Sequence, residues 1–242
     1  MMPQKMSKTM MNTYRTILSL FILIVWTGQS RAADWPHWGG PDANFTVPDA
    51  GIIQPDKAQA VRVVWKKTLG SGYSAVTVAS GLAVTMYSDG QSDYVIALGA
   101  ADGATRWRHR IGPAYLGHWG SQSGPLSTPL ITPSVVVALS PQGMLFALET
   151  ATGSRLWSTD LVTEQGGRSP FWGFTSSPRM IDNRIILQSG GSEGMALSAY
   201  DPVTGRRLWS AGTDDVDYQS HGVFKIDGED HILFHGNRNL YG

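Results

Sequence analysis

The side chains able to do chemistry in this 242-residue chain are few, and they are poorly spaced for it. Six histidines (His37, His109, His118, His221, His231, His235) contain one H-x-x-x-H pair, His231 and His235, and no HExxH. His231 and His235 flank an extended run, where an offset of four places them about 13 Å apart, too far to share an ion. Asp214, Asp215 and Asp217 offer oxygens that suit calcium, but three carboxylates in one turn read better as a solvated acidic loop. "SEGMA" and "SQSGP" lack the G-x-S-x-G pattern of a nucleophile elbow, and no helix follows "GGSEG" to make a phosphate loop. With no cysteine there is no thiolate nucleophile, no Cys-ligated metal and no disulfide. No catalytic, cofactor-binding or metal-binding residue is assigned, and no cofactor is expected.

What remains is aromatic. Tyr73, His118 and Trp119, Phe171 and Trp172, and Tyr218 and His221 fall in four loops rich in Gly, Ser and Pro. Rings with polar tips on the loops of a rigid scaffold suit a binding rim for a peptide, a sugar or a flat cofactor. These seven residues are the expected rim, and the partner is expected to be a protein, a peptide or a small ligand.

Charge and the N-terminus narrow the setting. Lys5, Lys8 and Arg15 precede the apolar run "ILSLFILIVWT", and "GQSRA" follows it. Eleven apolar-dominated residues are short for a bilayer span, which needs about 17–25. The order basic, apolar, small predicts a signal peptide over residues 1–32, cleaved after Ala32, and a periplasmic or secreted protein. Only an uncleaved segment would tie the chain to a membrane. The leader carries four basic residues and no acid, so the remainder has 15 basic against 19 acidic side chains. That balance gives no support to nucleic-acid binding, which wants a basic patch, and no nucleic-acid partner is expected.

The elements that must hold the loops follow from a repeat. "ALGAADGATRW" (97–107), "ALETATGSRLW" (147–157) and "AYDPVTGRRLW" (199–209) share Ala, Gly and Trp at identical offsets: Ala97, Gly103, Trp107; Ala147, Gly153, Trp157; Ala199, Gly205, Trp209. With Trp65, the tryptophans fall 42, 50 and 52 residues apart, spacings that suit propeller blades or helical arrays. Within each period four short apolar runs alternate with Pro, Gly and Ser breaks, as in Leu130–Ile131, Val135–Leu139, Met144–Leu148 and Arg155–Ser158. Such runs are strands. The predicted fold is all-β, a β-propeller of four-stranded antiparallel blades, with the recurrent indoles packing blade on blade and each glycine giving a ring room against backbone.

The ends are ragged. "VRVVWKKTLG" (61–70) reads as a fourth strand with no three strands before it, and residues 221–242 read as strands one to three without a fourth. A small ring closed by the first strand and a piece of a larger propeller both fit, and the cut inside a strand favours the larger propeller. Residues 33–60, with Pro and Gly but no periodicity, are expected to form an irregular strap, leaving 61–242 as the propeller.

The signature Ala-x-acid-x-x-Thr-Gly-x-x-x-Trp resembles the tryptophan-docking repeat of the pyrroloquinoline-quinone-like (PQQ-like) propellers. Ala147, Glu149, Thr152, Gly153 and Trp157 match it, as do Ala199, Asp201, Thr204, Gly205 and Trp209; the first copy has Gly99 at the acidic position and Asp102 at the threonine. The blade-ending Trp is followed by Arg108, Ser158 or Ser210, never by the Asp of a WD40 repeat. The resemblance implies an eight-bladed ring, about half of it here, and one of two functions. BamB-like members bind no quinone and act as scaffolds; quinoprotein dehydrogenases hold PQQ and calcium. No calcium ligand or catalytic Asp of the second kind can be matched here, so a non-catalytic binding module is expected, with a fragment of a quinoprotein alcohol or sugar dehydrogenase as the alternative.

Overall fold

The computed structural model describes residues 34–46, 62–191 and 194–242. The expected leader lies outside the described residues, and the expected strap only partly within them. All regular structure among the described residues is strand. Blade one is β1 (Thr77–Ala79), β2 (Leu82–Ser88), β3 (Ser92–Gly99) and β4 (Thr105–Pro113), and blade two is β5 (Leu130–Ile131), β6 (Val135–Leu139), β7 (Met144–Glu149) and β8 (Arg155–Asp160). Blade three is β9 (Arg179–Ile181), β10 (Arg184–Leu187), β11 (Leu197–Tyr200) and β12 (Arg207–Ala211). A fourth sheet has three strands, β13 (Gly222–Ile226), β14 (Glu229–His235) and β15 (Leu240–Tyr241). In every sheet the strands lie side by side in chain order, each pair antiparallel. This is the expected propeller.

The sheets pack face on face because their strands are apolar on both sides, the pattern of a sheet buried twice. Along β6, Val136 and Ala138 face blade one and join Val84, Val95 and Trp107. Val137 and Leu139 face the other way and join Ile185, Leu187 and Tyr200 of blade three. Ile186 and Ala199 then meet Phe234 and, at its margin, Tyr241 of the fourth sheet.

The eleven-residue signature is a hairpin with a bulge. Ala97, Ala147 and Ala199 pair directly with Trp107, Trp157 and Trp209 across the last two strands of their blades. In all three the register slips just after the alanine, so Arg106, Leu156 or Leu208 is the extra residue. The glycine turns back with φ of +65° to +71°, a region that costs a Cβ dearly.

Trp65, Trp107 and Trp157 each cover the glycine of the repeat that follows, not of their own. A Cβ on Gly153 would lie 2.5 Å from the Trp107 ring, one on Gly205 2.6 Å from Trp157, and one on Gly103 2.5 Å from Trp65. Each indole N–H donates to the carbonyl three residues before that glycine: Trp65 to Ala100 at 2.9 Å, Trp107 to Thr150 at 2.8 Å, Trp157 to Pro202 at 2.9 Å. Glu149 and Asp201 brace these turns through Thr152 and Thr204. Where Gly99 replaces the acid, the Asp102–Arg106 pair fills the space its side chain would take.

Two expectations are corrected here. Residues 62–70 are extended but join no sheet, since no third strand lies beside them to form a ladder; only Ser71 bridges Ser88. Trp65 and Leu69 nevertheless cover the outer face of blade one, against Tyr87, Ile96 and Leu98. Trp209 occupies the repeat position but docks on no glycine among the described residues and stays 38 % exposed.

Candidate functional site

The first strands of the four sheets converge through a hydrogen-bond relay. Ala75 N–H donates to Thr128 Oγ1 (3.1 Å), Thr128 N–H to Ser177 Oγ (3.1 Å) and Ser177 N–H to Ser220 Oγ (3.0 Å). Each link joins one blade to the next at an equivalent place, satisfying an amide that the innermost strand leaves unpaired. The "SA", "ST", "SS" and "QS" dipeptides that build it are a second repeat, hidden by its ordinary residue types.

Two residues before each link stand Tyr73, Leu126, Thr175 and Tyr218. Together with Tyr115, Ser121 and Trp172 they line one cleft of about 330 Å³. A channel of about 440 Å³ continues it past Thr128, Ser177 and Ser220 to Trp38 and Phe45, which meet edge to face at 5.2 Å. Residues 34–46 reach this end because Trp35 bridges Val78 of β1 and the Pro36 carbonyl accepts from Ile131 of β5.

Two loops are pinned over the cleft by tyrosine hydroxyls. Tyr73 Oη accepts from Gln122 N–H at 2.9 Å, and Tyr218 Oη accepts from Trp172 N–H at 3.2 Å. Buried Asp93 accepts from Tyr115 N–H at 3.0 Å and fixes the start of the loop that carries Gln122. Above the cleft the rings gather. His118 stacks on Phe171 (5.1 Å) and meets Trp172 edge-on (5.6 Å), and Trp119 lies 5.6 Å from Phe171 and 5.5 Å from Trp172. Trp119 is 88 % exposed on a left-handed backbone with φ of 49°, an arrangement that packing within the chain does not explain.

Six of the seven expected rim residues, Tyr73, His118, Trp119, Phe171, Trp172 and Tyr218, are thus brought together. His221 is not. It is 6 % exposed, immediately before β13, and does not line the cleft. Burial, the Arg179 charge and His37 push its imidazole down to about 3. Tyr115, Ser121, Leu126 and Thr175 were not anticipated; the spacing between repeats marks Leu126 and Thr175, and nothing in the sequence marks Tyr115 or Ser121. The hydroxyls of Tyr115 and Thr175 are buried and have no hydrogen-bond partner among the described residues. Burial pushes the Tyr115 phenol up, and Tyr218 adds to it.

The acidic turn also differs from expectation. Asp214 is fully buried and accepts from the amides of Arg238 (3.0 Å) and Asn239 (2.6 Å) and from the Asn239 side chain (2.9 Å). Burial opposes its charge, but the Arg238 and Asn239 amides outweigh it and hold the carboxyl below the usual range. It is a structural clasp on the β14–β15 turn. Among the described residues no three His, Asp or Glu side chains group to hold a metal ion.

A family model described as "Outer membrane protein assembly factor BamB" matches residues 91–240, more than half of the chain. The chain is 25 % identical over 198 residues to "1-butanol dehydrogenase (cytochrome c)" of Thauera butanivorans, covering 80 % of this chain and 28 % of that protein. It is 27 % identical over 222 residues to "Outer membrane protein assembly factor BamB" of Burkholderia pseudomallei, covering 70 % of this chain and 53 % of that one. Among solved structures, BamB from Moraxella catarrhalis aligns with TM-score 0.44 and 23 % identity, over 64 % of this chain and 41 % of that one. The chain spans about a quarter to about half the length of these two curated relatives. Repeat, blade architecture and matched residues agree: the chain belongs to the PQQ-like β-propeller family, with both BamB and a quinohemoprotein alcohol dehydrogenase of Pseudomonas putida among its relatives.

Proposed function

We propose that the chain is an exported binding or scaffolding module, without catalysis of its own, whose axial cleft takes an extended segment of a protein partner. The observation that carries this reading is the cleft itself. Apolar walls, a crown of exposed rings and two unpartnered hydroxyls suit a chain with alternating aromatic side chains and free backbone groups. The order of basic, apolar and small residues in 1–32 supports export to the periplasm or beyond. The matching BamB family description supports a protein partner in outer-membrane assembly.

One observation favours a second reading, a fragment of a PQQ- and calcium-dependent dehydrogenase: the similarity to a butanol dehydrogenase over 80 % of this chain. The seven residues lining the cleft include no carboxylate, arginine or lysine. They do not fit a tricarboxylate quinone and its ion, and no chemical step is drawn through that group.

The test is a titration of the protein with a neutral ten-residue peptide of alternating aromatic and polar residues, the pattern of a membrane barrel strand. Saturable binding that Trp172→Ala weakens at least about tenfold is expected. A parallel arm adds PQQ and calcium with an alcohol and a redox dye; turnover there would reject the scaffold.

A further inference from the structure

Asn44, Phe45 and Thr46, within "DANFT", form an Asn-x-Thr pattern. On a surface loop of an exported chain that pattern is an acceptor for an N-linked glycan. Asn12, Asn183, Asn237 and Asn239 have Tyr14, Ile185, Asn239 and Tyr241 two residues on, so the pattern occurs once in these 242 residues. Its structural setting meets the requirement. Asp42, Asn44, Phe45 and Thr46 are all exposed, outside any strand. The loop is tied across its base, with Phe45 N–H donating to the Gly39 carbonyl at 2.8 Å and Ala43 N–H to that of Gly40 at 3.0 Å. On either side of Asn44, Ala43 and Phe45 hold left-handed backbone, φ 50° and 60°, which residues with a Cβ seldom adopt.

The asparagine side chain is fixed as well. Thr46 donates to Asn44 Oδ1 twice, from its backbone N–H at 2.9 Å and from Oγ1 at 2.6 Å. A backbone N–H can only donate, so the atom it meets is the carbonyl oxygen and the amide nitrogen is the other one. That Nδ2 donates to nothing among the described residues. Asn44 lines neither the axial cleft nor the channel that continues it, although its neighbour Phe45 lines the channel's end.

We propose that Asn44 is a glycan acceptor, modified by an oligosaccharyl transferase that uses a polyprenyl-diphosphate-linked oligosaccharide. Asn44 Nδ2 bonds to the anomeric carbon of the first sugar, and the bond from that carbon to the diphosphate oxygen breaks. The lipid diphosphate leaves with the electron pair, and one amide proton passes to a base of the transferase. Thr46 supplies the hydroxyl by which the acceptor is recognised. The proposal rests on the proposed function only through export, since N-linked glycans belong to exported chains.

The experiment incubates the folded full chain with a purified transferase, active on a standard acceptor peptide, and its lipid-linked oligosaccharide. Mass spectrometry of the digested chain reads the result. One glycan mass on the peptide that contains Asn44 is expected. Asn44→Gln should carry none, Thr46→Ser should keep it, and Thr46→Ala should carry at least about a hundredfold less. An unmodified Asn44 would overturn the proposal, and so would modification that persists in Thr46→Ala. Purified components make the result independent of where the chain resides, so this proposal and the export reading fail separately.

Discussion

A single indole does two jobs at the docked junctions, those of Trp65, Trp107 and Trp157, and both are local. Trp107 is buried, fills the space a side chain at Gly153 would need, and donates to Thr150. Trp107→Ala leaves a large cavity and an unpaired carbonyl, so a loss of about 3–5 kcal/mol is expected, read as a fall in urea midpoint. Trp209 has the same sequence context but no glycine to cover, and Trp209→Ala should cost below about 1 kcal/mol. Equal costs at the two positions would show that docking is not what stabilises the stack. His221 gives a second prediction at this scale. Its imidazole, ordinarily near 6.5, is pushed to about 3 by burial and by Arg179 and His37, with Asp42 beyond them. Between those values the unfolded chain binds a proton that the folded chain refuses, so stability falls as pH drops through that window. From about pH 7 to about pH 4.5 the loss should be roughly 2–3 kcal/mol. His221→Leu should flatten that part of the profile; an unchanged slope would place the pH dependence elsewhere.

Among elements, the strands that carry the molecule are those apolar on both faces. β6 and β7 lie between two covered sheets, and Val136, Val137 and Ala147 are wholly inaccessible. β13 and most of β14 are half exposed, and β15 pairs with β14 at two positions only. Hydrogen–deuterium exchange should find the amides of β6 and β7 slowest and those of β13–β15 first to open; the reverse order would contradict the blade-by-blade packing. The strand spans were legible because Pro, Gly and Ser punctuate them and the runs between are too short for helix. The partner of each tryptophan was not legible, since an indole meets the glycine of the next repeat and offsets within one repeat give no sign of it. Residues 61–70 read as a strand on their own pattern, but a ladder depends on a neighbour that the pattern does not contain. Asp214 looked solvated among its acidic neighbours, and only the folded β14–β15 turn brings the two amides that bury it.

At the scale of the whole molecule, the relay from Ala75 through Thr128 and Ser177 to Ser220 draws four sheets around one cleft, and four loops bring their rings to its mouth. Loop aromatics at corresponding repeat positions were a readable sign of that convergence. His221 was misplaced because "SHG" reads as a turn, whereas the link at Ser220 turns the next residue inward. The most direct measurement is an NMR titration of the indole N–H resonances with the alternating aromatic peptide. Trp119 and Trp172 should shift with saturation, while Trp65, Trp107 and Trp157, held by the carbonyls of Ala100, Thr150 and Pro202, should stay fixed. Fixed resonances at Trp119 and Trp172, or shifts confined to the three docked indoles, would contradict the assignment of the axial cleft as the binding site.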